Sequence, residues 1–146
     1  MDIMLENLYV SRELYSSLLH PVCTKYGLAP AELLVLLFLA NNTEYDTAKD
    51  IVNKLKIAKS HVSISVRTLE ERGYLRGNYE GRNRRTIHLQ LSDTAASVIS
   101  DVRNVQKKFG SILGHGFSEE ELKHFQNYLQ RATENVNLYL KNSFSI

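Results

Sequence analysis

A mainly α-helical chain with one small β-wing is predicted by three observations. Apolar residues recur at helical spacing near both ends: Met4, Leu8, Tyr15, Leu18 and Val22 early, and Leu122, Phe125, Leu129, Ala132, Val136 and Tyr139 late. Two short helical stretches, one starting at Thr47 and one at Ser60, are separated by the tight turn Lys56-Ile57-Ala58. After them Ile87, Leu89 and Leu91 alternate with His88 and Gln90, the period of two of a half-buried strand. Helix, turn, helix and a two-stranded ribbon describe a winged helix-turn-helix flanked by long helices. The expected division is 1–27 for an N-terminal dimerisation helix, 28–92 for the winged helix-turn-helix and 93–146 for C-terminal dimerisation helices.

At 146 residues the chain suits one domain with helical extensions and can bury a core unaided. No apolar run reaches the roughly 18–20 residues of a membrane span. The longest, Leu33 to Ala40, suits a buried helix. The start Met1-Asp2-Ile3 lacks the basic and apolar regions of a signal peptide, so the expected location is the cytoplasm. A single cysteine, Cys23, excludes an internal disulfide and a cysteine-based zinc cluster.

Taken in order, the first helix adds Leu5, Leu14 and Leu19 to its stripe, more apolar surface than a small core can use. Pro21 is expected to kink its last turn, and Tyr26-Gly27 to end it. Pro30 opens the next helix, where its missing N–H costs nothing. Leu33, Leu34, Leu36, Leu37 and Phe38 make that helix apolar on most sides, hence central. Beyond a polar loop, Thr47 is an N-cap with Asp50 placed to bond back, and Ile51, Val52 and Leu55 bury the third helix. On the wheel of the fourth helix Val62, Val66 and Leu69, with small Ser65, share one side; Ser60, His61, Ile64, Arg67 and Thr68 share the other. Gly73 ends it. Strands at Tyr74–Arg76 and Thr86–Leu91 enclose the turn formers Gly77, Asn78, Gly81 and Asn83.

From Ser92-Asp93 a helix with Val98, Val102, Val105, Phe109 and Ile112 at four-three spacing runs to Gly114-His115-Gly116. Ser118 with Glu121 forms a capping box for the last helix. The three long striped helices are expected to form an interface shared by two copies.

Charge locates the partner. Residues 49–85 hold ten Lys/Arg against four Asp/Glu, a net +6 in a chain of +2, which leaves −4 elsewhere. A merely solvated face would not concentrate one sign, so a polyanion is expected on this segment alone. The outer face of the fourth helix is short, polar and singly basic with one aliphatic side chain, which suits base edges in a major groove. Arg82, Arg84 and Arg85 crowd the hairpin tip, as insertion into a narrow minor groove requires. The candidate DNA-contacting residues are Thr47, Lys49, Lys59, Ser60, His61, Ile64, Arg67, Thr68, Arg82, Arg84 and Arg85.

Leu55-Lys56-Ile57 through Ser60-His61-Val62-Ser63, then Leu69-Glu70-Glu71-Arg72-Gly73-Tyr74-Leu75, resemble the MarR (multiple antibiotic resistance regulator) family. The wing Glu80-Gly81-Arg82-Asn83-Arg84-Arg85 and the exit Leu89-Gln90-Leu91-Ser92 resemble that family's wing signature and its close. The resemblance implies a transcriptional regulator, a repressor, bound as a homodimer to double-stranded DNA at a roughly palindromic operator. It adds Ser63 to the base- or phosphate-facing set and makes Arg82 the wing-tip residue. It also implies a small aromatic or acidic effector between the dimer helices and the reader, with Tyr15, Leu19, His20 and Phe109 as candidate lining. Three positions depart from the family pattern: Glu80 for an Asp, Gly77 where an Arg often stands, and Ala95 for a frequent Gly.

Other classes fit less well. Histidines 20, 61, 88, 115 and 124 are scattered, with no metal or triad spacing and no Gly-rich phosphate loop, so neither catalysis, metal nor cofactor is expected. A protein-binding winged helix without DNA contact is the alternative, but it predicts an apolar recognition face. Cys23 reads as a small core filler rather than an oxidant sensor.

Overall fold

The computed structural model describes residues 1–78 and 86–143. Residues 79–85, and with them the candidate contacts Arg82, Arg84 and Arg85 and the wing residue Glu80, lie outside the described residues, as do 144–146. The chain divides into two units, Met1–Phe109 and Gly110–Ile146.

In the first unit the order is α1 (Ile3–Tyr26), α2 (Pro30–Asn41), α3 (Ala48–Leu55), α4 (Lys59–Glu71), β1 (Leu75–Asn78), β2 (His88–Leu91) and α5 (Ala95–Leu113), the last continuing past the unit's end. Asp2 caps α1 by accepting from Met4 N–H, and Gly27 ends it in the left-handed region at φ 62°. Pro21 lies within α1 rather than at its boundary. Helix α2 is the hub. Its Leu33, Val35, Leu36, Leu37, Phe38 and Leu39 are all buried, and it touches α1, α4 and β2. A helix apolar all round belongs inside.

The capping boxes fall where the local sequence puts them. Thr47 N–H donates to Asp50 Oδ2 at 3.1 Å, and Asp50 N–H donates to Thr47 Oγ1 at 3.1 Å. Lys56 ends α3 at φ 56°, the one described non-glycine residue in the left-handed region, and its N–H reaches the Val52 carbonyl. That left-handed step redirects the backbone into α4 within three residues.

The strands are shorter and shifted relative to the alternation. They pair antiparallel as Leu75 with Leu91, Arg76 with Gln90, Gly77 with Leu89 and Asn78 with His88. Tyr74, Thr86 and Ile87 lie outside them. A further antiparallel bridge joins Thr47 to His88, so the segment entering α3 lies along the outside of β2. Likewise α5 starts at Ala95 rather than Ser92, because 92–95 and 93–96 close as turns first. Ala95, where the family often has glycine, is fully buried in the core.

One expectation is corrected here. The stripe of α5 was expected on a surface shared between copies, yet Val98, Val102 and Val105 are buried in the core of the first unit. Only Ile112 of that stripe is exposed. A four-three spacing states that a helix has one apolar face, not which neighbour covers it.

The second unit holds the turn at Gly114–Gly116 and α6 (Glu119–Ser143). Ser118 and Glu121 exchange hydrogen bonds of 3.1 and 3.2 Å as the predicted capping box. Phe117 packs edge-on against Phe125 at 5.6 Å. Beyond Phe125 the stripe runs along exposed surface, through Leu129, Val136 and Tyr139.

Candidate nucleic-acid interface

Helix α4 presents two faces, as its wheel requires. Val62, Ser65 and Leu69 are buried and Val66 is half-buried, packing the helix onto the core. Lys59, Ser60, His61, Ser63, Ile64 and Arg67 are exposed, and Thr68 is half-buried at the edge. Ile64 is 65% exposed, so its apolar side chain stands free on a polar surface. The N-cap of α4 is Ala58, which offers no side-chain acceptor, and the first turn holds no acid. The positive end of the helix is therefore uncompensated beside Lys59 and Ser60.

Of the α3 candidates, Lys49 is exposed and Thr47 is committed to the fold. The Thr47 hydroxyl donates to Asp50 Oδ2 at 2.8 Å and accepts from Asp50 N–H, which leaves it one lone pair for a ligand.

The basic residues of the middle segment do not act alike. Arg72 donates from both terminal nitrogens, at 2.6 Å, to the carbonyls of Gly27 and Tyr26, and its guanidinium lies 5.5 Å from the Tyr74 ring. It fastens the C-terminal end of α4 to the end of α1. Lys54 sits 4.4 Å over the Tyr45 ring, and Arg76 bonds Gln90. Lys49, Lys56, Lys59 and Arg67 make no ion pair among the described residues. The charge count singled out the right segment but could not separate clamps from free cations.

The wing's base is held by carboxylates. Gly77 N–H donates to Glu70 Oε1 on α4 at 3.3 Å. Gly77 cannot form the ion pair an arginine would make there, and this backbone bond ties the strand down instead. On the other strand, Leu89 N–H donates to the Asp46 carbonyl at 2.8 Å, and His88 Nδ1 lies 2.6 Å from Asp46 Oδ1. Sequence reasoning missed Asp46, Glu70 and Arg72, whose partners are distant in the chain or are backbone groups.

A cavity of about 390 Å³ lies among α1, α2, the start of α4 and α5. Tyr15, Leu19 and His20 line it as expected. Phe109 does not; it stands behind Tyr15, edge-on at 5.6 Å. Arg12, Ile57 and His61 also reach the cavity, so one wall belongs to the reader. Cys23 is half-buried in that lining. Burial is the main cause that pushes its thiol above the usual range; the negative charge of Glu32 adds to this, and a backbone hydrogen bond partly offsets it. Such a thiol stays protonated near neutrality and is a poor nucleophile, in keeping with a filler.

Solved structures share this architecture. A MarR transcriptional regulator from Methanosarcina mazei Go1 superimposes with a TM-score of 0.82 at 16% identity, covering 95% of this chain and 99% of its own. A MarR family transcriptional regulator from Listeria monocytogenes complexed with 26mer DNA gives 0.81 at 19% identity, covering 97% and 95%. At these identities the likeness speaks for the fold. The model of the MarR family itself matches residues 26–85, which contain α2 to β1. That segment is similar to the MarR family, over somewhat less than half of the chain. Among curated proteins, the HTH-type transcriptional regulator BilQ of Clostridioides difficile is 23% identical over 91 residues, 62% of each chain. The match thus spans under two thirds of that relative's length. No described helix is by itself long and apolar enough to cross a membrane.

Proposed function

We propose that this chain is a regulator of the MarR family that binds double-stranded DNA as a homodimer and represses transcription from a pseudo-palindromic operator in the cytoplasm. The observation that carries the reading is the exposed face of α4, where Lys59, Ser60, His61, Ser63, Ile64 and Arg67 point outward around an uncapped helix start. Hydroxyls, an imidazole and a guanidinium supply donors to base edges, and Ile64 meets a thymine methyl. Thr68 lines the edge of that face, Thr47 fixes the start of α3, and Lys49 with Lys59 takes phosphates. Arg82, Arg84 and Arg85 are assigned to the minor groove beside it. Residues 28–92 do the reading, and the exposed apolar faces of 1–27 and of 93–146, the latter on α6, join the copies.

The Listeria regulator of the same fold was solved in complex with 26mer DNA, which supports the reading by analogy. The cavity beside His61 is assigned to a small aromatic or acidic effector. Tyr15 and Leu19 offer it apolar walls, and Arg12 and His20 offer positive or polar ones. An occupant there touches the reader directly through Ile57 and His61 and releases the DNA by moving α4.

The test is a salt titration of binding to a duplex that the protein selects from a random-sequence library. Each phosphate contact adds roughly −0.9 to the slope of log K against log salt, so a slope several times that is expected. A slope near zero, or no duplex retained at low salt, overturns the proposal.

A further inference from the structure

Two strands of four residues do not hold their own orientation, because an isolated hairpin is marginal in water. What aims this wing is its base. There the residue ahead of the α3 N-cap makes two bonds to consecutive residues of β2. The Asp46 carbonyl accepts from Leu89 N–H at 2.8 Å, and the Asp46 carboxylate sits 2.6 Å from His88 Nδ1. A carboxylate only accepts, so His88 Nδ1–H donates. The next residue, Thr47, bridges to His88 and at the same time caps α3. The wing's second strand is thereby referenced to the start of the first reading helix. We propose that Asp46 and His88 are positioning residues for DNA binding, fixing the angle at which the hairpin leaves the reader.

The pair suits alignment more than stability. The side chains are 31% and 57% exposed, and an exposed pair adds little to the folding free energy. What it restrains is the rotation of β2 about its backbone bridge to Thr47. The inference rests on the DNA-binding reading above, and the test separates the two.

The full-length protein is assayed on its library-selected duplex built with A·T-rich or G·C-rich flanks, at one salt concentration. Asp46→Ala and His88→Ala are expected to weaken binding to the A·T-flanked duplex roughly three- to tenfold, the scale of one lost hydrogen bond. The loss on the G·C-flanked duplex is expected to be smaller, with melting temperatures unchanged. His88→Asn, whose amide nitrogen stands close to where Nδ1 was, is expected to restore most of the affinity. Unchanged affinity in both alanine variants overturns the proposal, as does a His88→Asn protein as weak as His88→Ala. A lowered melting temperature with equal losses on both flanks also overturns it, because the pair then serves the fold. If the unsubstituted protein retains no duplex, the DNA-binding reading itself fails.

Discussion

Arg67, in the C-terminal half of α4, and Arg72, the C-cap of that helix, stand five positions apart and have opposite tasks. Arg72 spans from α4 to the end of α1 with two charge-assisted bonds to the Tyr26 and Gly27 carbonyls. Arg67 projects from the exposed face with no ion pair among the described residues. Arg72→Ala is therefore expected to destabilise the protein by about 1–2 kcal/mol, at the low end for charged donors because the side chain is exposed. Arg67→Ala should leave melting unchanged and cost about 1–3 kcal/mol of affinity on the selected duplex, with less loss on random duplex. Thermal melts and binding curves of the two variants check both halves, and an Arg72→Ala protein that melts normally would refute the clamp. Arg67 was legible in the sequence because a helical wheel is local. Arg72 was not, because its acceptors are backbone carbonyls 45 and 46 residues away and carry no side-chain signature. The same contrast separates the capping pairs Thr47–Asp50 and Ser118–Glu121, three residues apart and readable, from Asp46–His88, 42 apart and not.

At the scale of elements, α1 and α5 are joined by one polar cluster. Lys25 Nζ and the Tyr26 hydroxyl both donate to Asp101 Oδ2 at 2.7 Å. Hydrogen bonds from Lys25 and then Tyr26 hold the Asp101 carboxyl below its ordinary value of 3.8. The same bonds to Asp101 raise Lys25 and Tyr26 above theirs. A depressed carboxyl contributes stability that is fully present above its ordinary value and is lost as pH falls through the lowered one. The raised lysine and tyrosine contribute below their ordinary values of 10.5 and 10.0 and lose that contribution as pH climbs through the raised ones. Asp101→Asn should thus melt lower than the parent at neutral pH, and the gap should close in acid below pH 3.8. Melting curves of both proteins from neutral to strongly acidic solution test this. A gap independent of pH would mean that the cluster acts by packing instead. The periodicity of α1 and α5 foretold two amphipathic helices but not this tie, since polar partners on different helices leave no repeat in the sequence. Nor could the stripe of α5 disclose that its first three valines face the core of their own chain.

At the scale of the molecule, what the described chain leaves uncovered points to a second copy. On α1, Ile3, Met4, Leu8 and Tyr9 are each more than half exposed; on α6 the same holds for Tyr128, Leu129, Val136, Leu138 and Tyr139. Contiguous apolar faces of this kind are uncommon on monomers and mark surfaces of association. In the homodimer proposed above, a twofold-related copy is expected to cover these faces, and permanent homodimers bury roughly 2,000 Å² or more. Sedimentation or light scattering is expected to give about twice 16.7 kDa. The sharper test uses Leu8→Asp and Val136→Asp, because both side chains are already exposed in the single chain. Neither change should unfold an isolated copy, so helix content measured by circular dichroism should survive while the mass halves. The monomers should still bind duplex through one α4 each, but without preference for paired half-sites at a fixed spacing, since only a dimer sets that distance. Monomeric parent protein at micromolar concentration would refute the pairing. So would aspartate variants that remain dimers, by showing that these two faces are not where the copies meet.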